Sequence, residues 1–146
     1  MPQVARSVLV PYSAAAMFGL VDEVERYPEF LPWCGGAAVL SRDADLTVAR
    51  IDIDYLGVHQ SFTTANTKEG NEWMRISLRE GPFRSLGGHW HFTTLGEAAS
   101  KVELSLEYAF ANRLLEKAVG PVFNTIAETM IDRFTQRAET LFNPAP

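Results

Sequence analysis

Residues 112–142, "NRLLEKAVGPVFNTIAETMIDRFTQRAETLF", carry a repeating apolar pattern that decides the fold. Apolar residues recur at 114/115, 118/119, 122/123, 126/127 and 130/131, and then at Phe134, Ala138 and Leu141. A spacing of four along one stripe predicts an amphipathic helix, and about 30 residues at ~1.5 Å each would extend ~45 Å. Such a helix is long enough to lie across a whole sheet.

Pro121, which follows Gly120, interrupts this helical stripe. A proline inside a helix removes one backbone hydrogen bond, whereas a proline at the first helical position is well tolerated. The sequence therefore predicts either a kink at Pro121 or a main helix that begins there.

Residues 33–110 show the period of two that is typical of strands. Val102 and Leu104, for example, flank Glu103. Turn clusters divide the region into six segments, and these clusters read "SRDAD", "LG", "KEGNE", "EGPF" and "GEAAS". Short connections and alternating polarity predict an antiparallel meander with one buried face and one solvated face.

The segment before this region predicts one strand and two short helices. Residues 3–10, "QVARSVLV", alternate as a strand does. Ser13 is placed to cap a helix through Phe18, and Asp22 with Glu25 has the spacing of a capping box for a second helix. Pro28 is expected to end that second helix.

This order of elements predicts an α+β fold in which a strongly curved antiparallel sheet grips a long C-terminal helix. A chain of 146 residues fits one domain, which we place at residues 1–146. If side chains do not fill the space between helix and sheet, that space is an apolar cavity for a small molecule.

Composition excludes several classes of protein. The thirteen basic and eighteen acidic residues give a net charge of −5, without a run of Lys or Arg, so we expect no DNA partner and at most a local basic patch. Cys34 is the single cysteine and fits a reducing compartment. With no apolar run near ~20 residues and no signal-peptide layout in "MPQVARSVLV", we expect a cytoplasmic protein.

Residues 27–36, "YPEFLPWCGG", form an unusually apolar connector. Two prolines give the segment a fixed bend, yet it carries Phe30, Leu31 and Trp33. Either these side chains form the mouth of a ligand site, or they plug one end of the core. An exposed apolar opening would also let the protein bind transiently to a membrane surface. The expected location would then include the periphery of the inner membrane.

Three separated motifs together carry a family resemblance: "YPEFLPWC" (27–34), "EGPFRSLGGHWHF" (80–92) and "GPVFNTIAETMIDRFTQRAETLF" (120–142). They resemble the coenzyme Q-binding protein family, known in bacteria as RatA-like and grouped with START-domain (SRPBCC, polyketide cyclase/dehydrase-like) proteins. The resemblance implies a START-like helix-grip fold: about seven strands, two short helices after the first strand and a long C-terminal helix.

For function the resemblance implies two different roles, and the motifs do not separate them. In one branch the protein binds ubiquinone or a similar prenylated lipid without catalysis and supports respiratory electron transport. In the other, toxin–antitoxin branch, it binds the large ribosomal subunit, blocks subunit association and inhibits translation. The ubiquinone role is our first expectation from the sequence, and the ribosomal role is the alternative.

The ligand contacts that follow from the resemblance and from the inward strand phase are apolar or aromatic. They are Phe30, Leu31, Pro32, Trp33, Tyr55, Met74, Phe83, Trp90, Phe92, Phe123, Ile126, Met130 and Phe134. Each of them also fits an ordinary core position, since aromatic and Met stripes are more often core than ligand site.

Other chemistry finds little support in the sequence. No nucleophile with its base, phosphate-binding glycine loop or metal cluster is evident, so we expect no enzyme, no metal and no cofactor beyond the bound lipid. His89 and His91 share a strand face, but we interpret them as exposed histidines. Asp52 and Asp54 are interpreted as solvated charges on the outer face.

An enzyme resembling aromatase/cyclases would need polar groups inside the cavity, and Tyr55, Tyr108 and Gln60 are the few candidates. On the C-terminal helix, Arg133 and Arg137 form a basic pair. Their acidic neighbours, Glu128, Asp132 and Glu139, weaken the case for an RNA contact by this helix.

Overall fold

The computed structural model describes residues 3–142, which form a seven-stranded antiparallel sheet, two α-helices and one 3₁₀ segment. The elements in chain order are β1 (Gln3–Val10), α1 (Ala14–Asp22), the 3₁₀ segment (Val24–Glu29), β2 (Cys34–Arg42), β3 (Leu46–Tyr55), β4 (Val58–Glu69), β5 (Trp73–Glu80), β6 (Phe83–Gly96), β7 (Ala99–Phe110) and α2 (Arg113–Phe142). The predicted helix-grip fold, with about seven strands and a long final helix, is confirmed.

The sheet is a meander from β2 to β7, with β1 added at its edge in the order β1-β7-β6-β5-β4-β3-β2. β-Bulges interrupt the register on β2, β5 and β6. Because a bulge bends its strand and increases the local twist, these interruptions help the sheet to curve around α2. No helix within residues 3–142 has the length and apolar character needed to cross a membrane.

Helix α2 begins at Arg113 and continues through Pro121, so the main helix does not begin at that proline. The Asn112 side chain caps its start, because Oδ1 accepts a hydrogen bond of 2.9 Å from the Leu115 N–H. Pro121 has no N–H group to donate a hydrogen bond to the Lys117 carbonyl. Because Lys117 is exposed, a water molecule can donate to that carbonyl instead.

The N-terminal helices depart from the sequence prediction in two ways. Ser13 caps α1 as predicted, accepting from the Ala16 N–H at 3.1 Å, but the helix continues to Asp22 instead of ending at Phe18. The predicted capping box at Asp22 and Glu25 is wrong. The Asp22 carboxylate instead accepts hydrogen bonds from Thr47 and Lys68. Residues Val24–Glu29 form a 3₁₀ segment without a side-chain cap.

The middle of β6 approaches β7 unusually closely. A Cβ atom placed on Gly88 would lie 2.0 Å from the Ser105 carbonyl oxygen, and Gly88 has φ of 156°. A residue with a Cβ atom does not fit at this position of β6 without moving the backbone of one of the two strands.

Candidate functional site

A small apolar cavity of about 60 Å³ lies between the inner face of the sheet and α2. Its walls come from five strands, from α1 and the 3₁₀ segment, and from α2. The lining residues are Val21, Val24, Tyr27, Ile51, Phe62, Thr64, Asn66, Met74, Ile76, Leu86, Trp90, Leu104, Leu106, Phe123 and Met130.

The size of the cavity limits what it can hold as it stands. A cavity of about 150 Å³ accepts a benzene ring, whereas one water needs only some 10–15 Å³. At about 60 Å³ the cavity has room for water molecules but not for a ring. Any larger ligand therefore requires the wall to move.

The predicted ligand contacts are divided between the cavity wall and the packing around it. Met74, Trp90, Phe123 and Met130 line the cavity. The others lie outside the lining set, and most of them are buried in the surrounding core: Leu31, Trp33, Phe83, Phe92, Ile126 and Phe134 are buried, Phe30 and Tyr55 are half-buried, and Pro32 is exposed.

Phe134 joins the apolar connector to the helix and the sheet. Its ring lies 5.1 Å from that of Phe30, 5.3 Å from that of Tyr27 and 5.2 Å from that of Trp90, all near edge-to-face. Arg137 covers Phe30 at 5.0 Å and pairs with Glu29 at 2.6 Å. These contacts hold the connector against α2 and the sheet at the side of the cavity.

Two polar residues that are not among the predicted contacts face this apolar space from β4. Thr64 and Asn66 line the cavity, and the Asn66 side-chain oxygen is buried with no hydrogen-bond partner among residues 3–142. Further along the same inner face, Lys68 pairs with Asp22 at 3.2 Å and is 5% exposed. Only their even spacing from Phe62 along β4 could have indicated that they point inward.

The tyrosine hydroxyls near the cavity are already engaged. Tyr27 donates to the Val21 carbonyl at 2.5 Å, and burial, with Asp22 nearby, raises the pKa of Tyr27 far above its usual value. Tyr108 bonds to Asn124, and burial, with Glu128 adding to the effect, raises the pKa of its hydroxyl. Both hydroxyls therefore stay protonated at neutral pH, and neither can serve there as a general base.

The polar candidates for cyclase chemistry lie away from the cavity lining. Tyr55, Tyr108 and Gln60 are all absent from its wall. The cavity as described thus holds no arrangement of an acid and a base around a substrate.

The two histidines lie on the outer face of the sheet. The His91 ring stacks on Trp73 at 3.7 Å, and its Nδ1 lies 3.1 Å from a Glu103 carboxylate oxygen. The Lys101 hydrogen bond, with a smaller contribution from His91, lowers the pKa of Glu103. Within residues 3–142, no three His, Cys, Asp or Glu side chains are grouped to hold a metal ion.

The outer-face aspartates are held in ion pairs and hydrogen bonds. Asp52 accepts from Arg50 at 3.2 Å and from the Ser61 hydroxyl at 2.7 Å, and Asp54 lies 3.1 Å from His59. Neither aspartate lines the cavity.

Cys34 provides a direct test of whether the connector opens. The thiol is buried and donates to the Gly36 carbonyl at 3.2 Å, and burial raises its pKa to about 11. Because the thiolate is the reactive form, the raised pKa and the burial of the sulfur should both slow its reaction with a disulfide reagent near pH 7.5 relative to the unfolded chain. We expect Ellman's reagent to react slowly with the native protein and rapidly in denaturant, and fast labelling of the native protein would contradict a closed connector.

Six basic residues form no ion pair within residues 3–142: Arg6, Arg79, Arg84, Arg113, Lys117 and Arg133. Residues 79–84 and 111–117 contain four of these, and we call these two segments together the basic end. The Ala111 N–H donates to the Pro82 carbonyl at 3.0 Å and joins the segments. Glu80 and Glu116 are the acidic residues there, so the basic end is locally positive on a chain of net charge −5.

Comparison with known proteins identifies a family model that matches this chain and proteins similar to it in sequence. The family model described as "Polyketide cyclase / dehydrase and lipid transport" matches residues 10–135. A protein of Vibrio cholerae serotype O1 named "Ribosome association toxin RatA" is 45% identical over 142 residues, which cover 97% of this chain and 99% of that one.

More distant similarity connects the chain to two other proteins. "Coenzyme Q-binding protein coq10, mitochondrial" of Schizosaccharomyces pombe is 25% identical, and the match covers 91% of this chain and 84% of that one. The crystal structure of the Zhui aromatase/cyclase from Streptomyces sp. R1128 superposes with a TM-score of 0.80, covering 97% of this chain and 96% of the other. At 17% identity this structure shows the shared fold alone.

Proposed function

We propose that this chain, which belongs to the polyketide cyclase/dehydrase and lipid transport family, acts by binding a partner without catalysis, and that this partner is the ribosome. The family assignment confirms the resemblance to RatA-like and coenzyme Q-binding proteins that the three motifs indicated. The two relatives found by sequence similarity are named as a toxin and as a binding protein. The aromatase/cyclase, at 17% identity, shares the fold alone.

The observation that carries the ribosomal proposal is the 45% identity to a ribosome association toxin over nearly the full length of both chains. The coenzyme Q-binding relative shares 25%. On this difference we propose the ribosomal role first and the ubiquinone role second, which is the opposite of the order expected from the sequence.

The basic end supplies a contact surface for that partner. Arg113 and Lys117 lie one turn apart at the start of α2, and Arg79 and Arg84 flank the adjoining turn between β5 and β6. Free guanidinium and ammonium groups bind the phosphates of ribosomal RNA without reading its sequence. Since the rest of the chain is acidic, electrostatic repulsion would orient the molecule with this end towards the RNA.

Charge reversal at the basic end tests the ribosomal proposal. We expect wild-type protein to sediment with a ribosomal subunit and the double variant Arg113→Glu, Lys117→Glu to lose most of this binding. Binding weakens as salt rises, and a plot of log affinity against log salt concentration has a negative slope. For the double variant this slope should be less steep by about two, one for each lost phosphate contact. Glutamate near a helix N-terminus is favourable, so the double variant should remain folded.

Arg133→Glu is the matched control, because Arg133 lies on the same helix and also has no ion pair among the described residues, yet lies outside the basic end. It should bind as wild type does. Wild-type protein that sediments with neither subunit would refute the ribosomal proposal. Unchanged binding by the double variant would refute the basic end as its contact surface.

A second candidate function is the binding of ubiquinone or a similar prenylated lipid in the cavity. The apolar cavity wall between sheet and α2 supports it, as does the relative named for coenzyme Q binding. The wall must open to admit such a ligand, and the connector that carries Tyr27 and Phe30 is the segment to move. Binding of this kind would support respiratory electron transport at the inner membrane.

Native mass spectrometry of the purified protein, followed by organic extraction of any bound mass, tests this second function. A stoichiometric prenylquinone supports it. A ligand-free mass, together with no saturable binding of added ubiquinone, contradicts it.

A further inference from the structure

The cavity wall contains one polar position that its surroundings leave unsatisfied. Asn66 is 8% exposed, lines the cavity, and has a side-chain oxygen without a hydrogen-bond partner among residues 3–142. Thr64 lines the cavity from the same face of β4. Buried polar groups normally find partners, because leaving one unpaired is costly, so this position is suited to a polar group of a bound molecule.

The charge nearest to Asn66 along the strand is already neutralised. Lys68 faces the same side of β4, but its ammonium group lies 3.2 Å from one Asp22 carboxylate oxygen. The Thr47 hydroxyl donates to the other oxygen at 2.8 Å. No residue that lines the cavity carries a formal charge. An ionised head group placed there would be buried without a counter-ion, which is strongly unfavourable.

A carboxamide presents both a hydrogen-bond acceptor and a donor, so by rotation it can serve either a hydroxyl or a carbonyl. We propose that the cavity selects uncharged apolar molecules with one hydroxyl or carbonyl group, and that Asn66, assisted by Thr64, anchors that group. Fatty acids and phosphorylated lipids are excluded. This inference rests on the second proposed function, that the cavity binds a hydrophobic molecule.

The test uses two probes that share one prenyl chain and differ in head group. Equilibrium dialysis at pH 8 with radiolabelled farnesol should give saturable binding to wild-type protein, with farnesoic acid bound at least about tenfold more weakly. The Asn66→Leu variant should bind farnesol about three- to tenfold more weakly, the cost of one lost hydrogen bond. Its melting temperature should rise, because it no longer buries an unpaired polar group.

Thr63→Val is the matched control, because Thr63 is a buried neighbour on β4 that does not line the cavity. It should leave farnesol affinity unchanged. Equal affinity for farnesol and farnesoic acid, or an Asn66→Leu variant that melts higher but binds farnesol as wild type does, would overturn this inference while the second proposed function stands. No saturable binding of farnesol, farnesoic acid or ubiquinone to wild-type protein would overturn both.

Discussion

Replacing Gly88 with alanine is expected to destabilise the protein by about 3–5 kcal/mol. The added methyl group would lie 2.0 Å from the Ser105 carbonyl oxygen and 3.0 Å from the Leu106 Cα, and both atoms belong to the backbone of the adjoining strand. Relief requires β6 and β7 to separate where Gly88 pairs with Leu106. Alanine is also strained at a φ of 156°. The free energy of unfolding, obtained from urea titration, measures the loss.

Gly19→Ala is the control for this prediction. Gly19 lies in α1, and a Cβ atom there meets nothing within 4 Å. Alanine should therefore stabilise the helix by about 0.5–1 kcal/mol. If both alanine variants unfold at the same urea concentration, the close approach of β6 and β7 is wrong.

Removing the Asp22 carboxylate is expected to cost about 3–5 kcal/mol of stability. Asp22→Ala leaves the Lys68 ammonium group, on a side chain that is 5% exposed, without its counter-ion. It also removes the acceptor of the Thr47 hydroxyl. A buried charge without a partner is far more destabilising than the loss of an exposed pair. The midpoint of denaturant unfolding should therefore fall markedly.

Glu25→Ala provides the comparison, since Glu25 pairs at 2.9 Å with Arg42 where both side chains are substantially exposed. Its loss should cost less than about 1 kcal/mol. The double variant Asp22→Leu, Lys68→Met should recover much of the stability lost in Asp22→Ala, because it removes the stranded charge as well. A double variant less stable than Asp22→Ala would contradict this explanation.

The architecture could be predicted from local periodicity because burial repeats along each element. The alternation around Glu103 and the four-residue stripe through Phe123 and Phe134 each identified a buried face. The pairing order from β2 to β7 followed from the short turns between these strands. These patterns need only neighbouring residues, so one sequence was sufficient for them.

Features that depend on distant partners were missed. Asp22 and Glu25 have the local spacing of a capping box, but Lys68 and Thr47, far along the chain, bind the Asp22 carboxylate instead. The basic end likewise has no run of Lys or Arg, because residues 79–84 and 111–117 are separated in sequence and adjoin only in the fold. Local patterns carry no information about such contacts.

The cavity wall was predictable only in part. Met74 and Trp90 could be placed inward by alternation, whereas Thr64 and Asn66 are polar residues in an inward phase, and polarity suggests a solvated face. Alternation also predicts which way a side chain points, but it does not predict how much space remains between opposing side chains. The size of the cavity and the packing of Phe134 against the connector both depend on that space.

The pairing of β1 with β7 has a consequence for the synthesis of the chain. Val4 pairs with Leu106, so the first strand has no partner until residues 99–110 have left the ribosome. The part of the apolar face that α2 covers stays exposed until residues 113–142 have followed. A fold built on such distant contacts forms late and slowly, and the nascent chain exposes an aggregation-prone surface for most of its translation. The emergence of α2 ends that exposure.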